Sequence, residues 1–183
     1  MSDSPYIQAT KKWFEKFVLA LNLCPFAHKP AQEGKIRFVM SEARNADQLV
    51  RTLLPELMFL YDHEPDEWET TLIVHPHCLN NWDDFWDFLG IVEELIDEAG
   101  LTGIFQVVGF HPDYLFGGEE PGDASHFTNR SPFPTMHILR EESLSGAVES
   151  HPDVEGIPVA NVKKLRELGT GILGKKLKEL QEL

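Results

Sequence analysis

Apolar residues recur along the chain at helical spacing in some segments and in short unbroken runs in others. The Ser4-Pro5 pair, followed by apolar residues three and four positions apart, predicts a first helix that ends near Leu23, before Pro25. Two longer helical patterns each follow a side chain that can cap a first turn. These caps are Asn45 or Asp47 for the second helix and Asn80 or Asn81 for the third.

The short apolar runs between the helices predict strands. They cover residues 36–40, 69–74 and 104–110, and a later run covers 135–139. Alternation of strands and helices is typical of crossovers that build a parallel sheet. We therefore expect an α/β fold with a small mixed or mostly parallel sheet of about four strands, flanked by helices and joined by an antiparallel fourth strand. The alternative is an α+β ferredoxin-like sandwich, which keeps most elements and changes the strand directions.

Proline and glycine mark the expected breaks in these elements. Pro55 lies inside the second helix and is expected to kink or split it, because proline lacks the backbone N–H that a helix interior needs. Residues 111–133 are rich in Gly, Pro, Asp and Asn, and this segment is longer than an ordinary connection. A short helix is predicted over residues 141–150. A final helix from Val159 is expected to be interrupted at Gly169, Gly171 or Gly174.

Length and charge narrow the class of protein. The 183 residues suit one domain over 1–183, and we see no internal repeat or linker. Acidic residues outnumber basic ones by 30 to 16, and the formal charge of −14 argues against nucleic acid and anionic membrane partners. No signal-peptide pattern or long apolar run is present, so we expect a soluble cytoplasmic protein. Its two cysteines are expected to stay reduced.

Polar residues follow the second and third predicted strands, where ligands bind in open α/β sheets. His75 follows the second strand, and His111 and Tyr114 follow the third. The long segment adds Asn129 and Arg130, and a guanidinium suits a carboxylate or phosphate. These residues predict a site for a small anionic molecule, with His111 or His75 as general acid or base and Arg130 as the anion-binding group.

Each of these residues also has a structural interpretation. A histidine at the end of a strand often bonds a loop carbonyl, Arg130 can anchor the loop, and Asn129 can stabilise a turn. The aromatic side chains of the long segment can pin it to the core. No metal or other cofactor is predicted, because the chain has neither a spaced pair of cysteines nor a helical His-Glu-x-x-His pattern.

Cys24 follows the first predicted helix and precedes Pro25. Free cysteine is usually a buried packing residue, and a reactive thiolate needs a neighbour that lowers its pKa. In a simple layout this segment precedes the first strand, at the end of the sheet opposite the expected site. Cys24 joins that site only if its loop folds across the sheet.

Several blocks of sequence resemble an uncharacterised family, domain of unknown function 1415 (DUF1415). The blocks are NLCPFA, ETTLIVHP, FQVVGFHPDYLFGG, TNRSPFPTMHILRE and IPVANVKKLRELG. They extend from about Trp13 to Gly169 and leave the tail uncovered. The resemblance implies a small, stand-alone, cytosolic protein and supplies no activity, cofactor or catalytic residue. Within the blocks stand Cys24, His75, His111, Asn129, Arg130 and His137, which raises the interest of Cys24 and lowers that of a metal site on a pair of histidines.

Three hypotheses about function remain open at this point. The leading one is a small-molecule enzyme of the hydrolase or transferase type, with catalytic candidates His111, His75 and Cys24. Its candidate substrate-binding residues are Arg130, Asn129, His137 and Tyr114. The alternatives are a non-catalytic protein-binding or regulatory module, which would use the aromatic loop, and thiol or redox chemistry at Cys24. The sequence does not specify an oligomeric state.

Overall fold

Four strands form one sheet in the computed structural model, which describes residues 4–182. They are β1 (Ile36–Met40), β2 (Thr70–Val74), β3 (Phe105–Phe110) and β4 (Thr135–Arg140), in the order β1-β2-β4-β3. β1 and β2 are parallel, and β4 is antiparallel to both β2 and β3. The first three strands therefore point the same way, which confirms the α/β expectation, and the antiparallel strand lies inside the sheet.

Helices cover both faces of this sheet. In chain order they are α1 (Pro5–Trp13), α2 (His28–Gln32), α3 (Ala46–Tyr61), α4 (Trp82–Glu98), α5 (Glu141–Ser150), α6 (Gly156–Leu168) and α7 (Thr170–Gln181). A π-helical segment, Phe14–Leu19, continues α1, and short 3-10 helices occupy Pro25–Ala27 and Ala124–Thr128. None of the helices described within residues 4–182 has the length and apolarity needed to span a membrane.

α3 and α4 cover the first face of the sheet. Their amino termini are capped as the sequence predicts, because Asn45 accepts from the Gln48 N–H and Asn81 accepts from the first turn of α4. The apolar side chains of both helices form one buried cluster with the sheet. Its fully buried members include Leu49, Leu53, Leu57, Leu60, Ile73, Phe85, Val92, Met136 and Ile138. Pro55 does not split the second helix, because α3 is continuous through it, and the alternative of a kink stays a prediction.

Gly109 of β3 lets α4 approach the sheet closely. A Cβ atom at this position would lie 2.7 Å from Leu89 Cδ1 and 2.8 Å from Phe85 Cε1. Both distances are shorter than a van der Waals contact, and Phe85 is a fully buried ring. The absence of a side chain at Gly109 therefore fixes the distance between β3 and α4.

α1, the π-helical segment, α6 and α7 cover the second face. Their apolar side chains form a second cluster with the sheet, which includes Trp13, Phe17, Val18, Leu72, Phe127, Leu165, Leu173 and Leu177. The predicted final helix is interrupted at Gly169, where the positive φ of 79° separates α6 from α7. The sequence did not predict the π-helical segment, in which the Ala20 N–H donates to the Glu15 carbonyl at 3.0 Å.

Candidate functional site

A cavity of about 690 Å³ lies on the second face of the sheet. Its floor consists of side chains from the sheet, including Leu72 of β2 and Val108 and Phe110 of β3. The π-helical segment forms one wall, and the chain from Cys24 to Pro30 forms another. The cavity reaches Thr70 and Ile36, at the amino-terminal ends of β2 and β1. It therefore extends toward the end of the sheet opposite the one that the strand-end rule selects.

α5 closes the remaining side of the cavity with four small residues and Leu144. Ser143, Gly146, Ala147 and Ser150 all line it, and their spacing places them on one face of the helix. No residue of α5 is buried. Because the four small residues are too short to reach the sheet, the helix leaves a space beneath them.

α6 fastens the segment that carries Cys24. The buried Asn161 donates through Nδ2 to the Leu23 carbonyl at 2.7 Å, and Lys164 Nζ donates to the Leu21 carbonyl. Asn22, between these two carbonyls, has a positive φ of 49°. The left-handed residue turns the chain after the π-helical segment, and the two bonds from α6 hold that turn in place. This is how the loop comes to fold across the sheet.

The Cys24 thiol lines the cavity and is partly accessible. Burial raises its pKa, and the backbone N–H groups of Phe26 and Ala27 oppose that rise only in part. The side chain is therefore a protonated thiol near neutral pH. A thiol is a weaker nucleophile than a thiolate, so an activated cysteine at this site would need an additional base.

His137 of β4 presents an imidazole to the cavity floor. Its Nε2 lies 2.6 Å from the Thr70 hydroxyl, and that hydroxyl donates to the Ile138 carbonyl. Nδ1 has no hydrogen-bond partner among residues 4–182 and is not shielded from solvent. Burial lowers the pKa of His137 from its ordinary value of 6.5 to about 4. The ring is therefore neutral at pH 7, with an unbonded nitrogen.

Three charged residues line the cavity, Lys29, Glu69 and Arg140. Glu69 is partly exposed. Lys29 is exposed. The guanidinium of Arg140 donates to the carbonyls of Leu60, His63 and Trp68 at the carboxyl-terminal end of α3 and beyond it. Arg140 thus stabilises the end of α3. The interior of the cavity is mainly apolar.

His75 and His111 lie on the other face of the sheet, against α4. Both are fully buried, and their ring centroids lie 5.3 and 5.5 Å from that of Phe85. His75 Nδ1 donates to the Cys78 carbonyl and His111 Nε2 to the Leu79 carbonyl, each at 3.2 Å. Burial lowers the pKa of both rings, that of His75 to about 4. Together they hold the loop between β2 and α4.

Tyr114, Asn129 and Arg130 lie in the long segment beyond β3. Arg130 Nε donates to the Tyr114 carbonyl at 3.2 Å, and its guanidinium lies 4.9 Å from the centre of the Phe127 ring. The Asn129 carbonyl accepts from the His111 N–H at 3.2 Å. These contacts attach the long segment to β3 and to Phe127, and the functional roles of Arg130 and Asn129 stay predictions.

The aromatic side chains of the long segment contact one another and their surroundings. The Tyr114 ring lies 4.5 Å from that of Trp82 and 4.8 Å from that of Phe116, and Phe127 is buried. His126 accepts from the Phe116 N–H at 3.0 Å and donates to the Glu120 carbonyl at 2.8 Å. The segment is thus fixed by its own side chains. Whether it also binds a protein stays a prediction.

A family model described as a protein of unknown function (DUF1415) matches residues 5–175. The chain belongs to the DUF1415 family. The resemblance seen in the sequence blocks is therefore confirmed. No curated protein and no solved structure matches the chain.

The DUF1415 structure brings two of the predicted site residues together. Cys24 and His137 line the same cavity, whereas His75 and His111 pack beneath α4 on the other face. Trp13 links the cavity to the long segment, because it lines the cavity and donates through Nε1 to the Arg130 carbonyl at 2.8 Å. Within residues 4–182, no group of three or more His, Cys, Asp or Glu side chains is arranged to hold a metal ion.

Sequence reasoning missed the residues that shape this DUF1415 cavity. Thr70 and Asn161 act through hydrogen bonds to residues far away in the chain, and nothing in their local sequence indicates those partners. The small residues of α5 did carry a signal. An otherwise helical segment that places Ser, Gly, Ala and Ser on one face cannot fill a core, and such a face indicates a cavity or a close helix contact.

Proposed function

We propose that the protein binds a small, mainly apolar molecule in the cavity between the sheet and α5, with His137 as its polar contact. The observation that carries the proposal is the unbonded Nδ1 of His137 in a largely apolar cavity of about 690 Å³. This volume falls in the range of small-molecule sites, which combine apolar walls with a few polar groups.

The state of His137 favours recognition over proton transfer. A general base works best when its pKa lies near the working pH, and burial lowers the pKa of His137 to about 4. A neutral imidazole in an apolar setting is a good hydrogen-bond acceptor and a weak base. This argues for ligand binding as the primary function, and a hydrolase or transferase activity would need a further activating group.

The proposed strand-end site receives less support than the cavity. His75 and His111 are buried and use ring nitrogens to hold backbone carbonyls, and Arg130 packs on Phe127. Side chains that are buried and already engaged in such contacts are poorly placed to contact a substrate. We therefore assign them a structural role and transfer the ligand site to the cavity.

Nile red binding tests the proposal, because the dye is neutral, apolar and fluoresces on leaving water. Ala147→Phe places a large ring in the cavity, and Val148→Phe adds the same ring at a more exposed position one residue along α5. We expect Ala147→Phe to weaken dye binding at least tenfold and Val148→Phe to leave it within twofold. Equal affinities for the two variants, with both folded by circular dichroism, would contradict the proposal.

A second candidate function is thiol chemistry at Cys24. The observation that favours it is the position of a partly accessible thiol on the cavity wall, where an electrophilic ligand would meet it. The raised pKa makes this thiol slow to react without activation. Thiol chemistry at Cys24 therefore requires an electrophilic ligand as well as an accessible thiol.

Alkylation rates test this candidate. For each reagent, the rate at Cys24 is divided by its rate with free cysteine. We expect this ratio to be higher for neutral N-ethylmaleimide than for a charged methanethiosulfonate reagent, because the cavity is mainly apolar. Cys24→Ser should abolish the reaction, and Cys78→Ser should not, since Cys78 is buried. Nile red should slow the modification. Modification at Cys78 alone, or no protection by the dye, would argue against a thiol function in the cavity.

A further inference from the structure

The proton position on His137 is fixed by its neighbours. A threonine hydroxyl has one hydrogen, and that of Thr70 is donated to the Ile138 carbonyl. Nε2 of His137, 2.6 Å from the same hydroxyl oxygen, must therefore carry the hydrogen of their shared bond. A neutral imidazole with its hydrogen on Nε2 has a lone pair on Nδ1. The cavity consequently offers a hydrogen-bond acceptor at this nitrogen.

The two basic side chains that line the cavity are engaged or exposed, and the third charged residue of the lining, Glu69, is acidic. The guanidinium of Arg140 is held by three backbone carbonyls, and Lys29 is exposed at the rim. Burial keeps His137 neutral at pH 7. An anion that entered would lose its hydration without gaining a cation, which is a large cost in apolar surroundings.

We infer that the ligand is a neutral, largely apolar molecule that carries an O–H or N–H group and donates it to His137 Nδ1. This inference rests on the proposed function, because it names the class of molecule that the same cavity binds. A molecule without a donor leaves the nitrogen unpaired once water is displaced, and a carboxylate or phosphate places negative charge against a lone pair. Both classes bind more weakly.

Three naphthalene probes of one shape separate these classes. 2-Naphthol is neutral at pH 7 and has a donor, 2-methoxynaphthalene is neutral without a donor, and 2-naphthoate is an anion. Calorimetric titration of the full chain with each probe measures the affinities. We expect 2-naphthol to bind about tenfold more tightly than the methyl ether, the usual value of one buried hydrogen bond, and 2-naphthoate to bind most weakly.

Variants of His137 and Thr70 assign the preference to this hydrogen-bonded pair. His137→Phe keeps an aromatic ring and removes the acceptor, so the two neutral probes should then bind within twofold of each other. Thr70→Val removes the acceptor of the Nε2–H and should reduce the preference for 2-naphthol, because the other tautomer becomes accessible. Thr70→Ser retains the hydroxyl and should retain the preference. Val148→Phe, on the exposed side of α5 and outside the cavity lining, serves as the control and should retain the preference.

The nitrogen-15 resonances of His137 provide a readout that does not depend on the variants folding. In the unmodified protein, 2-naphthol should shift the Nδ1 resonance in the direction of hydrogen-bond acceptance, and 2-methoxynaphthalene should not. A protonated Nδ1 in the free protein overturns the inference, whatever the affinities.

The outcomes also separate this inference from the proposed function. If none of the three probes nor Nile red binds, the cavity is not a ligand site and the proposed function fails. If 2-methoxynaphthalene binds and Ala147→Phe blocks it, while 2-naphthol shows no advantage, the proposed function stands and the inference is overturned. Tightest binding of 2-naphthoate overturns the inference in the same way.

Discussion

Asn161 is a single side chain that connects α6 to the cavity wall. It is buried, and its Nδ2 donates to the Leu23 carbonyl, next to Cys24. Asn161→Ala should lower the free energy of unfolding by about 1 to 3 kcal/mol, because it leaves a buried carbonyl without its partner. Urea unfolding measures the loss.

A matched comparison is available for this prediction. Gln181 Nε2 also donates to a backbone carbonyl, that of Pro132 at 2.9 Å, from an exposed position. Gln181→Ala should cost less than about 1 kcal/mol, since water replaces the lost donor. If the two substitutions cost the same, burial of the Asn161 bond is not what stabilises the loop.

The candidate site shows where sequence reasoning about residues reaches its limit. Cys24 gained attention from the sequence block that contains it, and His137 was one of several candidate substrate-binding residues. Their shared cavity depends on a loop turned back by Asn22 and held by Asn161. Such long-range bonds leave no local pattern. The His75 and His111 positions at the strand ends were predicted, and their burial beneath α4 was not, because burial depends on which side chains α4 places over them.

At the scale of elements, the contact between β3 and α4 depends on Gly109. Gly109→Ala should lower the free energy of unfolding by about 1 to 3 kcal/mol, because the added Cβ overlaps Phe85 and Leu89 in a packed core. Chemical unfolding with two optical probes measures this cost.

Gly90, on α4 itself, is the control for that substitution. A Cβ there meets no atom within 4 Å, and the position is exposed. Gly90→Ala should raise the free energy of unfolding by about 0.5 to 1 kcal/mol, since alanine favours a helix. A stabilising Gly109→Ala would show that α4 can move away from the sheet at no cost.

The elements themselves were largely predictable from local patterns. The apolar runs located all four strands to within one residue at each end, and the capping asparagines located α3 and α4. Pro55 does not split α3, because one missing N–H is outweighed by the packing of this helix, whose apolar face is fully buried. The place of β4 between β2 and β3 could not be read from the sequence, since strand order depends on long-range pairing.

At the scale of the molecule, buried histidines on both faces of the sheet link stability to pH. Burial lowers the pKa of His75 and of His137 to about 4, below the ordinary 6.5 that applies when the chain is unfolded. Between these two pKa values the unfolded chain binds more protons than the folded chain. The contribution of the histidines to the free energy of unfolding is therefore fully present above about pH 6.5 and is lost as the pH drops toward 4.

Each of the two histidines can contribute up to about 3 kcal/mol to this loss. Urea unfolding at pH 7 and at pH 4.5 should show the decrease, and His137→Phe should make it smaller, because one titrating group is gone. Equal stability at the two pH values would mean that neither ring is held neutral by burial.

β4, the antiparallel strand inside the sheet, delays completion of the sheet during synthesis of the chain. β2 and β3 do not pair with each other, and both pair with residues that follow them in the chain. A nascent chain whose residues 1–134 have left the ribosome therefore exposes two strands whose facing edges have no neighbour, and only the next few residues can join them. Exposed edges of this kind favour aggregation, so nascent chains of this length should need protection until the joining strand emerges.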